Sequence, residues 1–215
     1  MQTCIIMSVI GFLSGSVMYS YIIPRLLRKI DIRNVSDDKN PGGANAVVAA
    51  GAVIGVTCIL FDIVKAFLPV FLAVAYMGVN GLYLIPVMVA PVFGHAFSPF
   101  LWFRGGKAIS VSFGALLGLI GISKVLILLI LIMLIFKFII VITPNSSKTI
   151  ASFAVMAMAV LVLEPLAGVR IGLFLISLVV CFKHAASPNE GDLQLRIGPF
   201  AVRYEDKSIK FGRKM

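Results

Sequence analysis

One polar segment, residues 94–107, places chemically capable side chains between two apolar runs. It supplies an imidazole, a guanidinium, two adjacent glycines and an ammonium group, from His95, Arg104, Gly105, Gly106 and Lys107. Glycines let backbone N–H groups approach an anion, and the apolar run from Ala108 predicts a helix whose positive end faces this loop. A lysine adds a point charge on a phosphate, and a histidine binds or titrates beside it. The segment therefore predicts an oxyanion site, although a basic loop that obeys the positive-inside rule explains the charges equally well.

The polar loop before the second apolar run is rich in asparagine, glycine and aspartate. Asn40, Gly42 and Asn45 offer backbone and amide donors that suit a polar ligand. The alternative is a solvated connector in which Asn45 is the N-cap of the next helix. The adjacent carboxylates of Asp37 and Asp38 are only a weak indication of divalent-ion binding, so no metal site is predicted.

Two ionisable residues, Asp62 and Lys65, lie inside the second apolar run. Their spacing puts them on one helix face, about 5–6 Å apart, where they can form an ion pair. Ionisable groups within a membrane span usually mark a functional site. A purely structural pair is an equally good interpretation, and we expect these residues to brace the site rather than react.

The elements that position these residues are apolar helices. Hydrophobic residues make up 60% of the 215-residue chain, and its mean hydropathy is +1.06, which excludes an ordinary soluble domain. The pattern predicts an all-α polytopic membrane protein with about seven transmembrane helices. The apolar segments are Thr3–Leu26, Gly51–Met77, Leu82–Phe93, Ala108–Gly121, Val125–Ile142, Thr149–Leu163 and Gly168–Phe182. The third and fourth are short for a span, which suggests extension, tilt or partly re-entrant helices.

The basic residues indicate how the chain is oriented. The net charge is +10, and with seven spans the loops at 27–50, 94–107 and 143–148 share one side with the tail from Lys183. The other side carries only Lys124 and Arg170. The positive-inside rule then predicts a cytoplasmic-membrane protein with its N-terminus outside and its polar loops and C-terminus in the cytoplasm. Beside membrane spans, such charge favours contact with lipid headgroups over nucleic acid.

Residues 1–183 are expected to form the transmembrane domain and residues 184–215 a cytoplasmic basic tail. In that tail, apolar and polar residues alternate from Leu193 to Ile197, and Gly198-Pro199 follows before another apolar stretch. This pattern predicts a small β-hairpin. The cysteines, Cys4, Cys58 and Cys181, lie in apolar runs without disulfide or metal spacing.

Taken in order, the polar fragments resemble the bacterial acyl-phosphate-dependent glycerol-3-phosphate acyltransferase family, whose members are integral membrane enzymes with seven spans. The likeness covers roughly residues 11–152. Its fragments are Gly15-Ser16 with Tyr21, Asp31-Ile32-Arg33, Asn40-Pro41-Gly42-Gly43-Ala44-Asn45, Asp62-x-x-Lys65, Gly94-His95-x-Phe97 and Gly105-Gly106-Lys107. The chain departs from the family pattern at three informative positions. Asp38 replaces a serine, Val48 replaces an arginine and Ala108 replaces a glycine.

The resemblance implies transfer of an acyl chain from acyl phosphate to glycerol 3-phosphate, which gives lysophosphatidate for phospholipid synthesis without a cofactor. The catalytic residues implied are His95, Lys107 and Asn45. The substrate-binding residues implied are Asp38, Asn40, Gly42, Gly94, Gly105, Gly106 and Ser16, and helix packing explains Ser16 equally well.

Two other functions stay open at this point. A noncatalytic paralogue that binds a lipid precursor or a partner is supported by the changes at Asp38 and Val48. A small transporter is the less favoured alternative, because transporters usually place polar residues through the bilayer midplane and contain internal repeats. Here the midplane residues are limited to Asp62, Lys65 and Lys137, and the sequence shows no repeat.

Overall fold

The structure is a computed structural model that describes residues 1–187, 191 and 193–197. Within these ranges the chain folds mainly into α-helices joined by short loops. The helices are α1 (Gln2–Ser16), α2 (Tyr19–Arg28), α3 (Ile32–Val35), α4 (Gly43–Ala50), α5 (Ala52–Ala75), α6 (Leu84–Ala96), α7 (Ile109–Leu117), α8 (Val125–Phe138), α9 (Asn145–Leu163) and α10 (Ala167–Ala185). Single 3-10 turns at Gly81–Tyr83 and Pro99–Leu101 flank α6. Two strands, β1 (Ile140–Thr143) and β2 (Gln194–Ile197), complete the described elements.

Five helical segments of the described chain are long and apolar enough to cross a membrane, which confirms the multi-pass helical architecture. They are Gln2–Arg28, Ala52–Ala75, Gly81–Leu101, Asn145–Leu163 and Ala167–Ala185. A helix satisfies all its internal backbone hydrogen bonds, so it is the form that such apolar runs adopt in lipid.

Each of the seven predicted apolar segments contains a helix, but two of these helices are too short to span the bilayer, and the fifth segment ends in β1. The third segment lengthens through its flanking turns to Gly81–Leu101. In contrast, α7 has nine residues and α8 has 14. At 1.5 Å per residue, α7 extends only about 14 Å, roughly half of the apolar thickness of a bilayer. The helical part of the fourth segment therefore ends at Leu117, and the turns that follow carry the chain on to Ser123 at the other end of the bundle.

Close contact between α1 and α6 forms the centre of the bundle. A Cβ atom on Gly15 would overlap the backbone carbonyl of Pro91, and one on Gly94 would overlap the carbonyl of Phe12. Small residues are what allow two membrane helices to approach so closely.

The turns between the helices lie at the two ends of the bundle. At one end, the Cys4 Sγ lies 3.3 Å from the Tyr83 carbonyl oxygen, and the Ser123 hydroxyl donates to Glu164 at 2.5 Å. The polar loops lie at the opposite end, where residues from the end of α3 to α4, before α7 and at the start of α9 line one cavity.

The tail strand β2 pairs antiparallel with β1, with Ile140 opposite Ile197 and Thr143 opposite Gln194. A small two-stranded sheet is thus present, and it includes the first arm of the predicted hairpin. Its partner precedes α9 in the chain, whereas the expected second arm after Gly198-Pro199 lies outside the described residues. The division at residues 183 and 184 stays a prediction, since α10 continues to Ala185.

Replacing Gly15 by alanine should lower the melting temperature of the purified protein. The added methyl group has no space beside Pro91, and such overpacking costs about 1–3 kcal/mol. Thermal unfolding in detergent measures the effect. Gly121→Ala is the matched control, because a Cβ atom there meets no neighbour within 4 Å. Equal melting temperatures for the two variants would contradict the packing argument.

Candidate functional site

A cavity of about 640 Å³ opens at the end of the bundle that carries the polar loops. This volume lies in the usual range for small-molecule sites. Its polar lining comes from six parts of the chain: the loop before α4, the middle of α5, the end of α6, the start of α7, the start of α9 and the end of α10. The lining polar residues include Asp37, Asp38, Asn40, Asn45, Asp62, His95, Lys107, Ser110, Asn145, Ser146, Lys148, Thr149 and His184.

The loop before α4 folds around the carboxylate of Asp38. One carboxylate oxygen accepts from the Asn40 N–H at 3.1 Å and from the Asn45 side-chain amide at 2.7 Å. The other lies 2.8 Å from the Lys107 Nζ, in an ion pair that joins this loop to the start of α7. The Asn45 amide also donates to the Asn40 carbonyl at 2.9 Å. The predicted ligand-binding residues Asp38, Asn40, Asn45 and Lys107 therefore lie together.

Asp38 is ionised in this arrangement. Burial alone would raise the pKa of its carboxyl, but hydrogen bonds from Lys107, the Asn40 N–H and the Asn45 amide hold the pKa below its usual range. The ion pair with Lys107 consequently persists at neutral pH.

The alternative role of Asn45 as a helix cap is wrong. Helix α4 runs from Gly43 with Gly42 as its N-cap, so Asn45 belongs to the first turn. Its side-chain NH2 group instead donates to the Asp38 carboxylate and the Asn40 carbonyl.

A second ion pair fixes the polar loop where it leaves α2. Asp31 is the N-cap of α3 and accepts from the Arg33 N–H at 3.1 Å and from its guanidinium at 2.7 Å and 2.9 Å. The same guanidinium lies 4.5 Å from the centre of the Tyr21 ring. The hydrogen bonds from Arg33 lower the pKa of Asp31. These contacts hold the loop against Tyr21 in the first turn of α2.

The glycine pair of the 94–107 segment packs against the end of α6. The Gly106 N–H donates to the His95 carbonyl at 3.0 Å, and a Cβ atom on Gly105 would overlap that same carbonyl. Neither glycine lines the cavity in the described part of the protein. The Gly106 N–H is therefore occupied in this conformation, and the glycines shape the loop that carries Lys107. Helix α7 begins at Ile109 and its N-terminal end faces the loop, as predicted.

Behind the cavity, a buried polar network joins three helices. The Lys65 ammonium group contacts Asp62 Oδ1 at 2.7 Å, His95 Nδ1 at 2.9 Å and the Val17 carbonyl at 2.5 Å. The Ser20 hydroxyl donates to the second oxygen of Asp62 at 3.2 Å. The side chains of Asp62, Lys65 and His95 are almost fully buried. Asp62 and His95 reach the cavity wall, so the network lies where it can hold the site in place.

Two predicted substrate-binding residues lie in helix contacts instead. The Ser16 hydroxyl donates to the Phe12 carbonyl at 2.7 Å, one turn back in α1. Gly94 faces that same carbonyl and the Ser16 Oγ across the α1–α6 contact. Neither is among the described residues that line the cavity. For Ser16 and Gly94, the geometry supports the packing interpretation.

The start of α9 contributes residues that the sequence analysis did not assign to the site. Asn145, Ser146, Lys148 and Thr149 all line the cavity, and the Lys148 Nζ donates to the Asn145 side-chain oxygen at 2.7 Å. The sequence does contain a signal for these residues. It is the polar run from Asn145 to Lys148, which directly follows Pro144 and lies on the same predicted side as the other polar loops. His184 at the end of α10 also lines the cavity.

Replacing Asp62 by asparagine should destabilise the protein more than replacing Asp62 and Lys65 together by asparagine and methionine. The single variant leaves a buried ammonium group without its carboxylate, a change that typically costs about 3–5 kcal/mol. A double-mutant cycle of detergent melting temperatures measures the coupling, with Lys65→Met as the other single variant and Lys124→Met as an exposed-lysine control. Strictly additive effects would argue against a coupled network.

Comparison with known proteins identifies a matching family and several similar relatives. A family model described as glycerol-3-phosphate acyltransferase matches residues 5–190. Glycerol-3-phosphate acyltransferase 1 of Thermotoga maritima is 43% identical over 108 residues, which cover 49% of this chain and 52% of that protein. The glycerol-3-phosphate acyltransferase of Pseudothermotoga lettingae is 39% identical over 121 residues, covering 54% and 56%. The chain thus spans about half the length of the curated relatives it matches.

A solved structure shares the fold. It is PlsY (YgiH), an integral membrane glycerol 3-phosphate acyltransferase in its glycerol 3-phosphate form, which superposes with a TM-score of 0.74 at 24% identity. The match covers 85% of this chain and 88% of that one. The family model matches most of the sequence. Several residues that carry the resemblance line one cavity, namely Asn40, Gly42, Asn45, Asp62, His95 and Lys107. This chain therefore belongs to the glycerol-3-phosphate acyltransferase family.

Proposed function

We propose that this protein transfers an acyl chain from acyl phosphate to the primary hydroxyl of glycerol 3-phosphate, producing lysophosphatidate. The observation that carries the proposal is the meeting of Asn40, Asn45, His95 and Lys107 at one cavity, in a chain whose family model is glycerol-3-phosphate acyltransferase.

The location of the cavity suits the two proposed substrates. An acyl phosphate has a lipid-soluble chain, whereas glycerol 3-phosphate is a small water-soluble anion. A site at one end of an apolar bundle, with a polar loop on one wall and apolar residues such as Ile59 and Met133 on the others, offers contacts to both. Holding them together makes the reaction effectively unimolecular, which is a large part of the rate gain available.

The proposed reaction needs no protein nucleophile, metal ion or cofactor. The hydroxyl oxygen of glycerol 3-phosphate attacks the acyl carbonyl carbon and forms the new ester bond. The bond between that carbon and the phosphate oxygen breaks, and phosphate leaves with the electron pair. The hydroxyl proton passes to the departing phosphate or to solvent. Acyl phosphate supplies its own leaving group, so the protein's contribution is positioning and charge stabilisation.

We assign the phosphate contacts to Lys107, with Asn40, Gly42 and Asn45 forming the adjoining wall. Lys148 adds a second cation to the same cavity from α9. His95 accepts from Lys65 through Nδ1, which leaves Nε2 as the nitrogen that carries the proton in the neutral ring. In our proposal His95 orients the loop that bears Lys107, or assists proton transfer at the substrate.

Lys107→Met should reduce acyl transfer about a hundredfold or more, because it removes the positive charge that stabilises the anion developing during the reaction. The assay measures phosphate release from acyl phosphate that depends on glycerol 3-phosphate, with product identity checked by mass spectrometry. Lys124→Met, at the opposite end of the bundle, is the control for loss of one lysine.

Near-native turnover of Lys107→Met would remove this residue from the site. Absence of acceptor-dependent phosphate release by the native chain, with lipid precursor still bound, would indicate a noncatalytic binder. Movement of solute across a vesicle membrane without chemistry would indicate a transporter.

We further propose that the cavity opens to the cytoplasm and that the N-terminus lies outside, as the distribution of basic residues predicts. In a variant whose native cysteines are replaced by serine, Lys124→Cys should react with an impermeant maleimide in intact cells. Lys39→Cys, in the loop at the cavity, should react only after the cells are opened. The reverse pattern of labelling would invert the proposed orientation.

A further inference from the structure

The carboxylate of Asp38 is surrounded by the kinds of donor that bind a phosphate group. An ammonium group, a side-chain amide and a backbone N–H, from Lys107, Asn45 and Asn40, lie within 2.7–3.1 Å of its two oxygens. Phosphate oxygens are recognised by charge-assisted bonds of this type. The carboxylate therefore lies where the proposed site would hold an anionic ligand.

The charges around the cavity do not favour a dianion while Asp38 stays in place. Among the described residues that line it, the acidic side chains are Asp37, Asp38 and Asp62, and the lysines are Lys107 and Lys148. Lys65 neutralises Asp62 from behind the wall. The remaining carboxylates balance the two lysines, so the cavity offers an incoming dianion little net attraction.

We propose that Asp38 occupies the phosphate subsite of this cavity as an internal competitor, and that it sets the affinity of the protein for its phosphate-bearing substrate. The inference rests on the proposed function for the identity of that substrate. Phosphate enters when the Asp38 side chain leaves Lys107, Asn45 and the Asn40 N–H. The ion pair with Lys107 therefore has to be exchanged for the ligand at each binding event.

The loop that holds Asp38 has room for such a movement. The side chain of Asp38 is 16% exposed, and its neighbours Asp37 and Lys39 are exposed. Lys39 has a left-handed backbone, with φ at +50°. The loop is attached at both ends, by the Asp31–Arg33 pair before it and by α4 after it. In the proposed movement the Asp38 side chain rotates away from the Lys107 ammonium group while both attachments stay in place.

The test measures binding of inorganic phosphate to the purified full chain by isothermal titration calorimetry, at constant ionic strength. Asp38→Asn keeps the volume of the side chain and removes its charge, and we expect it to bind phosphate about tenfold more tightly than the native chain. Asp38→Ser is the second variant, in case the first does not fold. Asp37→Asn is the matched control, because it removes one negative charge from the same loop at an exposed residue.

Tighter binding by an Asp38 variant than by Asp37→Asn supports the inference. Equal binding by the two shows that only overall charge matters, and weaker binding by the Asp38 variants shows that Asp38 instead positions Lys107. Either result overturns the inference. In the acyl-transfer assay, the Asp38 variants should also show a KM for glycerol 3-phosphate that is lower by a similar factor.

Phosphate binding does not require turnover, so the two proposals fail separately. If the native chain shows no acyl transfer but Asp38→Asn binds phosphate more tightly than the control, the proposed reaction fails and the assignment of Asp38 stands. If transfer occurs but the Asp38 variants bind phosphate no more tightly than the control, the proposed reaction stands and the assignment of Asp38 fails.

Discussion

The buried ammonium group of Lys65 is the interaction on which the arrangement of this bundle depends. Helix α1 ends at Ser16 inside the apolar region, and the break before α2 leaves the Val17 carbonyl without a helical donor. In lipid, such a carbonyl has to find its partner within the protein. Lys65 supplies it, and the same group holds Asp62 and His95. One ammonium group thus satisfies the Val17 carbonyl at the break in the first span and fixes α6 beside α5.

The position of Lys107 follows from that network. His95 is fixed by Lys65, and its carbonyl accepts from the Gly106 N–H, which brings the following loop against α6. Lys107 then reaches the loop before α4 and pairs with Asp38. The site is therefore connected from the inside outward. The buried Lys65–Asp62 ion pair lies deepest, the hydrogen bond from the Gly106 N–H to the His95 carbonyl follows, and the less deeply buried Lys107–Asp38 ion pair lies nearest the surface. This order explains why three segments far apart in sequence meet at one cavity.

The sequence predicted the helical architecture well because long apolar runs have few alternatives in a membrane. It also predicted that Asp62 and Lys65 share a face, since that depends only on helical spacing. It did not predict that Gly105 and Gly106 would pack against α6 instead of facing the cavity, because that depends on which helix lies beside them. The contribution of Lys148 was missed for a similar reason. Its place on the cavity wall is set by the direction in which α9 begins, and no local pattern encodes that direction.

The pairing of β1 with β2 has a consequence for how the end of the described chain affects the bundle. Only Pro144 separates β1 from α9, whose first turn forms part of the cavity wall. Truncation before Gln194 would strip β1 of its partner and leave unpaired backbone N–H and C=O groups next to that wall. Strand β2 is therefore linked to the cavity wall through its pairing with β1, and forms of the protein that lack it would have an altered wall.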